Sequence, residues 1–170
     1  LTIRKIAAAA IAASLMLGTA GCTFMSPVAS QMDYAPSDGV QVALESVKLR
    51  NFIYLSDGAG RAGLFGSLVN TGLESTTVQI QYTDAISGDK SAATFNLLPQ
   101  QKLDLGYGGT TALAINLEAE PGRVAEIFAI QSGGVGQAMN VPVLDGTLAE
   151  YKDLVAQLPA AQVAVEESSN

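Results

Sequence analysis

Apolar residues in the middle of this chain recur at every second position, and that period dictates sheet rather than helix. Val78, Ile80 and Tyr82 alternate with Thr77, Gln79 and Gln81, as they must when successive side chains point to opposite faces of a strand and one face is buried. The same period runs through Val40, Val42 and Leu44, and in the opposite parity through Val47, Leu49, Ile53 and Leu55. Further runs are Leu64 to Val69, Phe95 with Leu97, Leu103 with Leu105, Leu113 with Ile115 and Leu117, Val124 to Ile130, and Met139 with Val141 and Val143. Clusters of Gly, Asn, Asp and Pro break the pattern about every 8–12 residues, which is the rhythm of turns in a sandwich or barrel. The expectation is an all-β, immunoglobulin-like antiparallel β-sandwich of about eight short strands with one C-terminal helix. The parity change near Glu45-Ser46 calls for a bulge or bend there. In the helix, Thr147 and Glu150 have the spacing of a capping box, Leu148, Tyr151, Leu154, Val155 and Leu158 share a face, and Pro159 ends the pattern. It is expected to pack against an end or edge of the sandwich.

The amino-terminal segment has a different logic. Arg4 and Lys5 precede an uncharged stretch from Ile6 to Leu17, interrupted only by Ser14. A run of about 12 apolar residues is too short to cross a bilayer core of ~30 Å but suits the apolar region of a signal peptide. Small residues follow, and then the chain's one cysteine, Cys22. Thr19-Ala20-Gly21-Cys22 resembles the lipobox of bacterial lipoproteins, with Thr19 in place of the family's usual Leu. The resemblance implies cleavage between Gly21 and Cys22, diacylglycerol on the Cys22 sulfur, and a lipid bilayer as partner through that acylated residue. A thiol is the strong soft nucleophile this alkylation needs, and small neighbours let the backbone enter a narrow protease groove. Gly18-Thr19-Ala20 also offers cleavage after Ala20, which would release a secreted chain. Two or three acyl chains hold a protein at a membrane firmly where one holds it marginally. The organisation is then a lipoprotein signal peptide at 1–21, a flexible tether at 22–38, a β-sandwich at 39–158 and a disordered tail at 159–170.

Composition closes several routes to chemistry. There is no histidine in the 170 residues, so Ser-His-Asp and Cys-His nucleophiles and HExxH zinc sites are excluded. One cysteine makes neither an intrachain disulfide nor a Cys-based zinc site. A formal charge of −7 argues against nucleic acid as a partner, since phosphates need a basic face. Gly58-Ala59-Gly60-Arg61-Ala62-Gly63 matches the dinucleotide fingerprint by letter, but a strand-like run follows where a helix should open, so a hairpin loop is expected. Ser87-Gly88-Asp89-Lys90 matches S-x-x-K without its partner motifs, and Gly88-Asp89 reads as a turn. With residues 1–21 removed, soft metal ligands are confined to Cys22, Met25, Met32 and Met139, and a copper site needs several to converge. Glu118, Glu120 and Glu126 are carboxylates expected at the solvated surface. The glycine-rich stretches Gly106 to Gly109 and Ser132 to Gly136 are expected turns, and loops gathered at one end are where sandwiches bind partners.

Leu64-Phe65-Gly66-Ser67-Leu68-Val69-Asn70-Thr71-Gly72, Leu98-Pro99, and the segment from Val141 to Tyr151 resemble the extracytoplasmic LpqE-like lipoproteins of actinobacteria over residues 40–158. That resemblance implies an immunoglobulin-like domain on the outer face of the cytoplasmic membrane, distantly similar to periplasmic copper chaperones but without their His ligands. The functional expectation is a non-enzymatic, membrane-anchored binding or assembly module. Its partner would be a membrane protein, conceivably within a respiratory complex. No catalytic residue, metal site or cofactor is expected beyond the lipid on Cys22. The alternative is a carrier of a small ligand or of copper with non-standard ligands.

Overall fold

The computed structural model describes residues 3, 5–7 and 37–160. The chain divides into two units, Leu1–Tyr34 and Ala35–Asn170. In the first, residues 3 and 5–7 are helical and exposed; Gly21, Cys22, Met25 and Met32, and with them the cleavage site and lipid attachment, lie outside the described residues. No helix among the described residues is long and apolar enough to cross a membrane.

The second unit is built from eight strands and a short helix. The strands are β1 Val40–Ala43, β2 Val47–Ser56, β3 Ala62–Asn70, β4 Thr76–Thr83, β5 Lys90–Leu97, β6 Lys102–Leu105, β7 Val124–Gln131 and β8 Gln137–Leu144, and the helix α1 is Ala149–Ala156. They form one curled sheet in the order β5-β4-β7-β8-β2-β3-β6, with β1 beside β2. The β5-β4-β7-β8 half faces the β2-β3-β6 half across a shared core, where Val78, Ile80, Ile127 and Val141 meet Val47, Leu49, Phe52, Tyr54, Leu64 and Leu68. The all-β class, strand number and C-terminal helix agree with the period of the sequence.

Three expectations are corrected. The sheet is not wholly antiparallel. β2 and β8 run parallel at Tyr54↔Val143 and Leu55↔Leu144, and β1 pairs with the first half of β2, leaving its second half open to β8. The bend expected near Glu45-Ser46 is present, as a hairpin turn closed by the Leu44 N–H on the Val47 carbonyl, 2.8 Å. Register shifts lie between Arg50 and Ile53, and opposite them between Val40 and Val42. Asn51 takes a left-handed φ of 53° at this bulge. The apolar alternation at Leu113, Ile115 and Leu117 forms no strand. Leu113 makes a single bridge to Leu64, and the chain then turns inward, where the buried Tyr54 hydroxyl donates to the Ile115 carbonyl (3.0 Å) and accepts the Leu117 N–H (3.1 Å). A side chain thus replaces the strand that would otherwise satisfy these backbone groups.

The helix supplies the third correction. Its N-cap is Leu148, without a side-chain cap, and the Thr147 N–H is bound by the Asp145 carboxylate at 2.9 Å, so the capping box does not form. α1 lies toward the end of the body at which β2 turns into β3, covering the outer face of those strands. Tyr151, Leu154, Val155 and the buried Leu158 pack with Ile53, Leu55, Phe65 and Ala112 in a second core on the outer face of β2 and β3. The four residues Phe52 to Leu55 are therefore all buried, with Phe52 and Tyr54 in one core and Ile53 and Leu55 in the other. A continuous apolar run is what a strand covered on both faces requires. Close approach is needed too: a Cβ on Gly66 would fall 2.6 Å from the Phe52 ring.

Candidate functional site

The antiparallel registers bring the β1–β2 turn, the β3–β4 loop, the β5–β6 loop and the β7–β8 loop to one end of the body. The β2–β3 and β4–β5 loops lie at the other end, with α1. This second end is called the helix end and the first the loop end.

The buried polar side chains of the core, Asn70 and Gln131, both serve the loop end. Asn70 closes β3 with an amide that is 0% exposed. Its Nδ2 donates to the carbonyls of Glu74 (2.8 Å) and Leu98 (2.9 Å), its Oδ1 accepts the Gly72 N–H (2.9 Å), and its own N–H donates to the Gln101 carbonyl (2.8 Å). Gln131 ends β7 and reaches the β1–β2 turn, accepting the Ser46 N–H at 3.0 Å and donating to the Ser46 hydroxyl at 2.8 Å. Thr71 donates from both its N–H (2.8 Å) and its hydroxyl (2.9 Å) to the Ser46 carbonyl. Gln100, held at a left-handed φ of 57°, donates to the carbonyls of Thr71 and Gly72 at 2.8 and 3.0 Å. Left-handed backbone is costly for a residue with a side chain and survives where its surroundings over-determine it. Gly72 leaves no room either, since a Cβ there would lie 3.1 Å from both Asn70 Oδ1 and Ser46 Cβ.

On this cross-tied frame stand three apolar side chains in water: Leu73 (85% exposed), Leu98 (63%) and Val135 (88%). They come from the β3–β4, β5–β6 and β7–β8 loops. An open groove of about 670 Å³ runs beside Leu73, lined by Ser46, Thr77, Gln131 and Ser132 among others. Charge there is sparse and mixed, with Glu45 and Glu74 against Lys48 and Lys102. At the helix end acids dominate: Asp38, Asp57, Asp84, Asp89, Glu118, Glu120, Asp145, Glu150 and Asp153 face only Arg61, Lys90, Arg123 and Lys152. Exposed apolar side chains held on a fixed frame are suited to contact with a partner.

The remaining motifs fall elsewhere. The Gly58 to Gly63 loop is a hairpin, closed by the Asp57 N–H on the Arg61 carbonyl (3.0 Å) and by an Arg61–Asp57 ion pair at 2.7 Å. The Ala59 N–H on its carboxylate, helped by the Arg61 guanidinium, holds Asp57 below the usual carboxylate range. Its free N–H groups are thereby turned onto a carboxylate of the chain itself, and no helix follows. Ser87 sits in the β4–β5 turn, where Asp84 accepts the N–H groups of Ile86 and Ser87 at 2.9 and 3.0 Å. Those N–H groups, that of Ser87 first, depress the Asp84 carboxyl. Glu118, Glu120 and Glu126 are exposed. Met139 is buried in the core, and no group of three or more His, Cys, Asp or Glu able to hold a metal occurs among the described residues. The Gly106 to Gly109 turn carries Tyr107, whose hydroxyl accepts from Asn51 Nδ2 (2.9 Å) and donates to the Asn51 carbonyl (3.2 Å). Burial pushes the Tyr107 phenol up to about 12. The Tyr151 hydroxyl, hydrogen-bonded to Asp38 at 2.6 Å, fixes the start of the body at the helix end.

Sequence reasoning found Ser132 to Gly136 as part of a loop end but missed Asn70, Gln100 and Gln131 as its fasteners. Asn70 was visible as the first residue of an Asn-Thr-Gly turn; the two glutamines carried no signal.

No protein-family model matches the chain, and no curated protein does. Among solved structures, the apo PCuAC domain of PmoF2 is similar at 15% identity and a TM-score of 0.47, over 64% of this chain and 98% of that one. The copper-bound PCuAC domain of PmoF2 gives 17% and 0.45, over 62% and 98%. The apo PCuAC domain of PmoF1 gives 18% and 0.43, over 61% and 98%.

Proposed function

We propose that this chain is a lipid-anchored extracytoplasmic protein whose β-domain is a non-enzymatic binding or assembly module, docking a membrane protein through the loop end. The observation that carries the docking is the presence of Leu73, Leu98 and Val135 in water on loops cross-tied by Asn70 and Gln131. Exposing apolar side chains on a rigid frame costs solubility and conformational freedom without serving the core, and a partner that buries them recovers that cost. The anchor rests on residues 4–22: a basic start, an apolar run, small residues, then Cys22. It sets the place, the outer face of the cytoplasmic membrane, where a tethered domain meets membrane proteins at high effective concentration.

Mass spectrometry of the membrane fraction should find an acylated amino-terminal Cys22, whereas an unmodified chain beginning at Gly21 in the medium defeats the anchor. Crosslinking from intact membranes should capture a discrete membrane protein, and Leu73→Asp with Leu98→Asp should abolish that capture while leaving the thermal midpoint in place. Tight Cu(I) binding by the whole chain, with no partner captured, would instead favour a copper carrier drawing on Cys22, Met25 and Met32.

A further inference from the structure

Sheet edges invite pairing with other chains, and the three free ones in this body are treated differently. β6 is four residues long and carries Lys102 and Asp104, which pair with each other at 2.9 Å. β1 is also four residues, and its register shifts at Val40/Val42. Short length, charge and irregular register are the devices by which proteins blunt an edge. β5 has neither the short length nor the irregular register, and its one charge, Lys90, is at its first residue. All eight of its residues, Lys90 to Leu97, pair with Thr83 to Thr76 without a shift. The run Ser91 to Leu97 contains no charge, proline or glycine, and on its far side no backbone of the described residues pairs with it.

We infer that β5 is a homotypic edge, at which two copies of this chain join their β5 strands antiparallel about a two-fold axis near Ala93 and Thr94. Charge selects a second copy that approaches in this orientation. Residues 37–160 hold 13 acids against 7 bases, so two copies repel over most of their surfaces. The β4–β5 ladder is the exception, with no acid in either strand and Lys90 at the far end of β5 as its one charge. Its turn does carry Asp84 and Asp89, but a two-fold sends the two turns to opposite ends of the joined strands. Eight residues at ~3.4 Å separate them by about 27 Å, beyond a screening length of ~8–10 Å. The same operation carries Lys90 of each copy toward the loop that bears Glu74 in the other, because Leu97 is in register with Thr76. Small residues at the centre, Ala92 to Thr94, let the backbones close to hydrogen-bonding distance.

The test uses the full chain, co-expressed with two different tags. The two forms should co-purify, and Thr94→Lys in both should cut that co-purification by about tenfold or more, since a lysine on an edge opposes its own symmetry mate. Thr94 is exposed, so an unchanged melting midpoint confirms that the variant folds. Thr94→Cys should give a disulfide-linked dimer under oxidation, and Lys48→Cys, at the loop end, should not. Failure of the tagged forms to co-purify, co-purification untouched by Thr94→Lys, or equal trapping at positions 94 and 48 would each overturn the homotypic edge. Loss of partner capture in the loop-end variants is a separate result and does not bear on it.

Discussion

Position 70 shows how much one amide can organise. Replacing Asn70 with Ala strands the carbonyls of Glu74 and Leu98 and the N–H of Gly72 in a buried setting, which costs about 1–3 kcal/mol. Urea denaturation should show a lower midpoint for Asn70→Ala with an unchanged slope, and amide exchange should quicken in the β3–β4 and β5–β6 loops before it does in β4. Asn70→Asp should be no better, because a carboxylate cannot donate to either carbonyl. Residue chemistry also sets the alkaline limit of the fold. Tyr107 is held neutral up to about 12, and burial raises the Tyr54 phenol as well. In the unfolded chain both lose their protons near 10. Native tyrosines therefore bind protons more tightly than unfolded ones, so the stability they contribute is whole below pH 10 and is lost as pH climbs from 10 toward 12. Tyr107→Phe should flatten that decline, measured as thermal midpoint against pH. None of this was legible in the sequence. An Asn before Thr-Gly announces a turn, but one of the carbonyls it binds belongs to Leu98, 28 positions on.

Among the elements, β2 is the one whose surroundings explain its composition. Val47, Leu49, Ile53 and Leu55 have the spacing of one face, but the shift between Arg50 and Ile53 puts Val47 and Leu49 in the main core with Phe52 and Tyr54, and Ile53 and Leu55 in the other. The cover over the latter pair is α1 and Leu158. Leu158→Ala should destabilise by about 2–3 kcal/mol, toward the lower end for buried leucines because the site lies at the rim of the smaller core. Tyr54→Phe acts on a different element: it leaves the Ile115 carbonyl and Leu117 N–H unpaired, at a cost of about 1–3 kcal/mol. Exchange protection should then fall at residues 115–117 ahead of the strands. That segment is also where sequence periodicity misled. Leu113, Ile115 and Leu117 have strand spacing and do face inward in part, but a tyrosine hydroxyl meets their backbone where a neighbouring strand was expected. Periodicity reports which side chains are buried and is blind to what binds the backbone between them. The strong runs, β3, β4 and β7, were legible because their ladders and their burial coincide.

At the scale of the whole β-body, charge is divided between its two ends. The helix end is acidic and the loop end is close to neutral with apolar tips, a division that composition hides inside a single net charge. Substituting Leu73, Leu98 and Val135 by Ser should leave thermal stability nearly unchanged, within about 0.5 kcal/mol each, because exposed side chains contribute little to the fold. Partner capture should disappear in the same protein. A loss of stability comparable to that of Asn70→Ala would mean that the tips belong to the core after all. The acidic half predicts the converse specificity: with phosphate headgroups it has repulsion to offer and no apolar contact.

The Asp38–Tyr151 hydrogen bond spans 113 positions, and Ser46–Gln131 spans 85. A polypeptide made amino end first presents Asp38 and Ser46 long before their mates arrive. Contacts between distant positions also slow the search for the native state. Maturation of this body is consequently a late, all-at-once event. Until the final helix is released the outer face of β2 stays wet, and a stop codon placed before Leu158 should yield a product cleared by proteases, whereas one placed after Ala160 should not.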